Sequence, residues 1–427
     1  MIPRIMHADE VPSILKPGMT VFVQGSANEP TAILEALQNN PEASKGVHYI
    51  SVMLPGVNHF NFAGLHEQAT MTSFFIISEI KKSFTQGKVK FIPLHFSEIF
   101  WYLENTVSID VAIIQVSPPD QWGYCTSGVT SDFIPAILSK ARTIVAEVNP
   151  EMPRTFGEAP IPLKRIDYII ETNHILPNIP TNTITPEMDR IGKYASTLIE
   201  DGDTLQFGIG SVPDAILNNL KGKRELGIHS GMITDALVDM VEAGVVTGSR
   251  KSIDRGKIVT GMAVGTNRLY RFADHNPLLE FKPVSYTHSV DVMKRIDSFV
   301  SVNSAIEVDL FGQVNAETIG GVQFGGTGGQ VDFIRGARVS RNGRSIVAML
   351  STAAKGKISR IVTQLKSGTI VTTARTDVQY IVTEYGIADL RNKSLKERAE
   401  ALIKIAAPQF RSELEMAWHE YQSQWKE

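Results

Sequence analysis

The amino-acid sequence predicts an α/β protein made of two homologous, open α/β domains that arose by internal duplication, with a functional crevice at their interface. Three observations carry this reading. A strand–glycine–helix unit occurs twice, further paired segments follow it in the same order in both halves, and 427 residues exceed one ordinary core.

The unit is clearest at residues 202–232. Thr204 to Phe207 reads as an apolar strand, Gly208 and Gly210 as a tight turn, and Pro213 as the first helical position, where a missing N–H has no partner to lose. A second strand ending near His229 is expected to face the same crevice. In open α/β sheets ligands bind beyond the carboxyl ends of the strands, where glycine lets backbone approach closely and a helix N-terminus offers N–H groups. Taken alone, the unit fits a plain structural turn equally well. The spacing of Met232, Ile233, Ala236, Leu237, Met240 and Val241 predicts a helix that begins directly after residue 231.

Residues 18–37 match residues 202–220 with one position gapped, including the helix start Pro-x-Ala-Ile-Leu at Pro30 and Pro213. Ile109-Asp110 then pairs with Ile296-Asp297, Arg142 to Ala146 with Arg344 to Ala348, and Tyr168 with Tyr380. Four colinear pairs argue for duplication, although the period is far longer than that of a solenoid. Pro177, Pro180 and Pro186 punctuate a polar stretch between the halves. The domains are therefore expected over 1–185 and 186–427, with a helix from Pro186 to Glu200 opening the second.

Composition narrows the functional classes. A net charge of −3 and a pI near 6.4 give no electrostatic reason to expect nucleic acid as a partner. A single cysteine, Cys125, excludes an internal disulfide framework and favours a cytoplasmic setting; it reads as a small residue near a turn rather than a nucleophile. The histidines form no His-x-x-x-His pattern and there is no Cys-x-x-Cys, so no metal is expected. Arg4, His7, Asp9 and Glu10 argue against a signal peptide, and no apolar run approaches the ~20 residues of a membrane span.

Between Val314 and Phe333 the chain carries glycine at 320, 321, 325, 326, 328 and 329. Such density implies backbone conformations barred to other residues, with N–H groups turned toward something small. Flanking Phe324 and Phe333 distinguish the segment from a polar, flexible linker.

Gly-Gly-Thr-Gly-Gly-Gln-Val-Asp-Phe-Ile-Arg-Gly at 325–336, Val-Thr-Glu-Tyr-Gly-Ile-Ala at 382–388, Val-Ser-Pro-Pro-Asp at 116–120 and Gly-Ile-Gly-Ser-Val-Pro at 208–213 resemble the acetyl-CoA hydrolase/transferase family of class I CoA-transferases. The likeness spans essentially the whole chain and is greatest to members acting on 4-hydroxybutyrate and butyrate. It implies a CoA-transferase/NagB-RpiA-like pair of domains, a homodimer, and acyl exchange between an acyl-CoA and a free carboxylate. Coenzyme A enters as a thioester substrate, with no permanently bound cofactor. By resemblance, Gly208, Ile209, Gly210, Ser211 and Val212 line the CoA thiol end together with Ile306. Gly328 and Gly329 provide oxyanion and pantetheine contacts, and Asn315 orients the acyl group. Glu29 is expected either to contact the acyl substrate or to cap a helix; for Glu317 and Glu384 a structural hydrogen bond is the better reading.

Family members carry a nucleophilic glutamate in a motif His-Ser/Thr-Glu-Met, which exchanges CoA through an anhydride and a glutamyl thioester. A carboxylate attacks a thioester only when held close to the carbonyl, where proximity contributes roughly 7–11 kcal/mol, and backbone N–H groups must receive the oxyanion. Here His229-Ser230-Gly231-Met232 places glycine at that position. Three readings follow: transfer through another carboxylate (Glu317, Glu29 or Glu384, with Asp235 one turn further away), hydrolysis by a water in the vacated volume, or CoA binding without catalysis. Transfer among acetate, butyrate or 4-hydroxybutyrate is the leading one. As a turn residue, Gly231 is expected to accept glutamate without disturbing the core.

Overall fold

The computed structural model describes residues 3–157, 160–180 and 183–424; Thr181 and Asn182, in the expected boundary stretch, lie outside these. The first sheet contains β1 (Arg4–Ile5), β2 (Thr20–Val23), β3 (His48–Ser51), β4 (Thr70–Ser73), β5 (Val89–Phe91), β6 (Val111–Val116), β7 (Thr143–Val148) and β8 (Tyr168–Glu171). Its order is β1-β8-β7-β6-β2-β3-β4-β5, and every pair is parallel. Helices α1 (Thr31–Asn39) and α2 (Phe96–Asn105) are among its crossovers. Val111–Val116 is buried at every position, as expected of a parallel strand covered on both faces.

After α3 (Pro186–Ser196) the second sheet runs through β9 (Thr204–Phe207), β10 (Gly227–His229), β11 (Ile258–Thr260), β12 (Leu279–Phe281), β13 (Phe299–Ser304), β14 (Arg344–Ala348), β15 (Tyr380–Thr383) and β16 (Gly386–Asp389). Its order is β12-β11-β10-β9-β13-β14-β15-β16, parallel except for the final hairpin pair. Strands β2 to β5 therefore correspond to β9 to β12, and β6 to β8 correspond to β13 to β15. All four repeated segments fall on or just before equivalent strands, which gives the duplication a topological basis. Strand order reverses at β2 and at β9, so the Gly208–Gly210 turn leaves its sheet at the switch point, where open α/β sheets bind ligands.

The two domains share a continuous seam. Ser131 N–H donates to the Gly261 carbonyl (2.9 Å), Ala263 N–H to Val129 (2.8 Å) and Val284 N–H to Asp132 (2.9 Å). The glycine-rich loop belongs to this seam as well. Ile76 N–H donates to the Gly325 carbonyl (3.0 Å) and Phe96 N–H to Gly328 (3.1 Å), while a Cβ on Gly326 would lie 2.1 Å from the Phe74 carbonyl oxygen. Gly326 thus admits the backbone of the first domain, and Gly325 and Gly328 pair with that domain through their carbonyls.

Element boundaries differ from expectation in three places. Helix α4 (Ser211–Asn218) starts two residues before Pro213, and α3 stops short of Glu200. Helix α5 (Asp235–Glu242) begins after Met232–Ile233, which instead pair in parallel with Met262–Ala263. The cause is the Gly231 carbonyl, which accepts from both Gly261 N–H (3.1 Å) and Met262 N–H (3.0 Å) and holds the following residues extended.

Candidate active site

Strand β9 ends where Gly208 N–H donates to the Val302 carbonyl (3.2 Å). Gly210 follows at φ +125°, a conformation that residues with a Cβ rarely adopt, and turns the chain into α4. The N–H groups of the first turn of a helix have no partner within it, so this end of α4 favours an anion or a carbonyl oxygen. It opens on a cavity of about 230 Å³ between the domains, lined by Pro55, Gly56 and Val57 from the first and by Ile209, Gly210 and Asp214 from the second. Burial pushes the Asp214 carboxyl up to about 6. Ser211 and Val212 are half-buried beside it.

Strand β10 ends at His229, one residue from the Ser230 hydroxyl, which donates to the Phe207 carbonyl (3.2 Å) and ties the two strand ends together. Gly231 comes next and is buried. A Cβ there would lie 2.7 Å from Cε1 and 3.0 Å from Nε2 of His288, a residue in the turn after the short helix α6 (Val284–Thr287). The same ring covers Gly329, whose Cβ would lie 2.4 Å from Nε2. His288 stacks on Phe96 of α2 (5.1 Å between ring centroids) and tilts against Phe333 of α7 (Gln330–Val339) at 4.4 Å. Three aromatic rings from three elements therefore fill the space beside Gly231. The expected open turn gives way to a packed imidazole, which a Cβ at residue 231 would meet at 2.7 Å.

Both histidines of this cluster are neutral. Burial drives His288 down to about 3 and His229 to about 4. His229 Nε2–H donates to the Thr287 carbonyl (3.0 Å), which anchors the turn carrying His288 to the end of β10. The Thr287 hydroxyl lies 3.3 Å from the Pro283 carbonyl and 2.9 Å from His288 Nδ1, two contacts that hold the ring to its own turn. Nε2 of His288 faces Gly231 and Gly329. Among the described residues nothing accepts a hydrogen bond from Gly329 N–H, which sits half-buried at the cap of α7.

The other sequence-derived candidates are mostly engaged elsewhere. Asn315 Oδ1 accepts from the N–H groups of Glu317 and Thr318 and from the Thr318 hydroxyl, while Nδ2 donates to Glu307 and to the Thr318 carbonyl. That side chain closes its own loop and has no donor or acceptor left to orient an acyl group. Ile306 N–H donates to the Asn315 carbonyl (2.8 Å). Glu317 accepts from Thr372 and Gln323, Glu384 from the Ser351 N–H and hydroxyl, and Asp235 from the Thr266 N–H and hydroxyl. Glu29, at the equivalent turn of the first domain, bonds Asn58, and burial lifts its carboxyl to about 7. Cys125 is buried with its thiol raised to about 11, which removes thiolate chemistry at neutral pH. Among the described residues no helix is long and apolar enough to cross a membrane, and no group of three or more His, Cys, Asp or Glu is placed to hold a metal.

Two residues at the seam have no sequence signal. His288 lies in Tyr-Thr-His-Ser, which matches no motif, and only the packed structure brings it to Gly231. Asp132 is fully buried with its carboxyl raised to about 8, and its Oδ1, without a hydrogen-bond partner among the described residues, lies against Gly261.

Comparison with known proteins agrees with this architecture. Residues 2–180 match the acetyl-CoA hydrolase/transferase N-terminal domain and residues 265–418 the C-terminal domain of that family. The 4-hydroxybutyrate coenzyme A transferase of Clostridium kluyveri is 40% identical, over 96% of this chain and 96% of that protein. The butyryl-CoA:acetate CoA-transferase of Anaerostipes caccae is 34% identical, over 96% and 95%. Among solved structures, RipA from Yersinia pestis superposes with a TM-score of 0.92 at 33% identity, and the 4-hydroxybutyrate CoA-transferase of Porphyromonas gingivalis with 0.82 at 36%. Each covers 98% of both chains.

Proposed function

The chain belongs to the acetyl-CoA hydrolase/transferase family, and from that membership we propose that it is an acyl-CoA:carboxylate CoA-transferase acting on short acids of the acetate, butyrate and 4-hydroxybutyrate type. The observation that carries the proposal is the seam cavity, onto which the Gly208–Gly210 turn and the N-terminus of α4 open from the second domain. In this reading Gly208 to Val212 and Ile306 receive the thiol end of CoA, and Gly328 contacts its pantetheine arm. The Gly329 N–H receives the carbonyl oxygen as charge develops on it. Coenzyme A passes through as a thioester substrate with no resident cofactor, and the protein works as a cytoplasmic homodimer.

The test is turnover of acetyl-CoA with a panel of short carboxylic acids, scored for new acyl-CoA and separately for free thiol without an acceptor acid. Exchange with at least one acid is the expected result. Free thiol alone would make the protein a hydrolase, and CoA binding without either product would make it a non-enzymatic binder; each overturns the transferase reading.

A further inference from the structure

Resting on the transferase reading, we propose that Asp214 selects the acceptor acid: its carboxylate takes a hydrogen bond from a hydroxyl at the far end of the acyl chain and turns away an acid that carries a second carboxylate. In that reading the thiol end of CoA lies at the Gly208–Gly210 turn, so the acyl group bonded to sulfur lies in the cavity of about 230 Å³ which that turn borders. Its walls are mostly apolar, with Pro55 and Val57 from the first domain, Ile179 and Pro180 from the connection, and Ile209 and Val264 from the second domain. The side chains of Asp214, Thr234 and Asp235 interrupt them.

These three differ in what they have left to offer a ligand. Asp235 accepts from the N–H and the hydroxyl of Thr266, while Thr234 shares a hydrogen bond with the Asp214 carboxyl. An ionised carboxylate accepts at about four lone-pair sites and donates at none, so Asp214 keeps acceptor capacity toward the cavity. It belongs to the first turn of α4, and helical side chains lean toward the N-terminus, which carries the carboxyl back to the open end of the helix. Burial and the neighbouring Asp235 raise it to about 6, and above that pH it is charged.

Among the described residues no Lys, Arg or His lines the cavity. A dicarboxylic acid would therefore bring its second carboxylate beside two others, with no cation to pair it and apolar walls that screen it poorly. An unsubstituted chain suits the walls but displaces water from Asp214 without replacing its hydrogen bond. A terminal hydroxyl suits the walls and supplies the missing donor.

The experiment uses the intact protein, acetyl-CoA and three four-carbon acids, namely 4-hydroxybutyrate, butyrate and succinate, at about pH 8, where Asp214 is ionised. In kcat/KM, 4-hydroxybutyrate should exceed butyrate on the order of tenfold, and butyrate should exceed succinate on the order of 10²-fold. Asp214→Asn keeps the shape and removes the charge, so succinate should gain on the order of tenfold relative to butyrate while the advantage of the hydroxy acid shrinks. A merely structural role would move all three acids alike, and unchanged ratios in Asp214→Asn overturn the assignment. The wild-type ranking needs no variant, so misfolding of Asp214→Asn leaves the proposal exposed to test. Succinate used as well as butyrate by the wild type overturns the selection and leaves the transferase reading standing, whereas exchange with none of the three acids overturns both.

Discussion

His288 and Gly231 are complementary in volume: the imidazole lies against the bare Cα of the glycine, and a Cβ at residue 231 would stand 2.7 Å from its Cε1. The ring is held by Phe96 and Phe333 on its faces and by Thr287 at Nδ1, so it cannot yield without breaking three contacts. A change at either residue is felt at the other.

Gly231→Glu alone should overpack the site, destabilising the fold by about 1–3 kcal/mol in urea titrations, and should form no glutamyl-CoA thioester. Combined with His288→Ala, the same glutamate has room. The double variant should recover much of the lost stability and form an adduct that borohydride reduces on the peptide around His229. Equal destabilisation in the single and double variants would show that the two residues do not compete for one space.

The two glycines proposed to contact CoA should fail for different reasons. At Gly210 nothing lies closer to a new Cβ than Pro213 Cδ at 4.0 Å, so Gly210→Val costs backbone strain of about 1–3 kcal/mol at φ +125°. At Gly329 a Cβ strikes His288. Both substitutions should weaken CoA in isothermal titration by roughly tenfold or more, the first through the α4 turn and the second through the oxyanion donor. Unchanged affinity in both would move CoA away from this seam.

The buried histidines set the acid side of the stability curve. With His229 near 4 and His288 near 3 in the folded protein, against about 6.5 when unfolded, the unfolded chain binds protons that the native one refuses. Their stabilising effect is complete above about pH 6.5 and is lost as pH falls toward 4, with a slope of about 1.4 kcal/mol per pH unit for each histidine. Urea titrations of His288→Asn should show the acid-side slope reduced by about one such increment relative to wild type; parallel curves would mean that His288 is charged in the native state.

Asp132 works with the opposite sign. Burial raises its carboxyl to about 8 from the ordinary 3.8, so the native state holds a proton that the unfolded chain releases. Stability from this group is complete below about pH 4 and declines as pH rises toward 8. Asp132→Asn keeps the shape and removes the titration, so its advantage over wild type in urea titrations should grow steadily across that interval. No pH-dependent difference would show that Asp132 is ionised throughout.

Sequence by itself determined the architecture, because its signals are local. The Thr204–Phe207 strand, its glycine turn and the repeats at Tyr168 and Tyr380 are periodicities and turn residues legible within a few positions, and they fall on equivalent strands. Local spacing misplaced the start of α5, because the Gly231 carbonyl bonds Gly261 and Met262 across the sheet end and overrides helical periodicity. It also turned Gly326 toward a ligand, where the Phe74 carbonyl in fact approaches it. Tertiary structure alone decided what stands beside Gly231. An absent side chain states only that room exists; which atoms enter that room depends on α2, α7 and the turn after α6 packing together, and close packing fills it with the ring of His288.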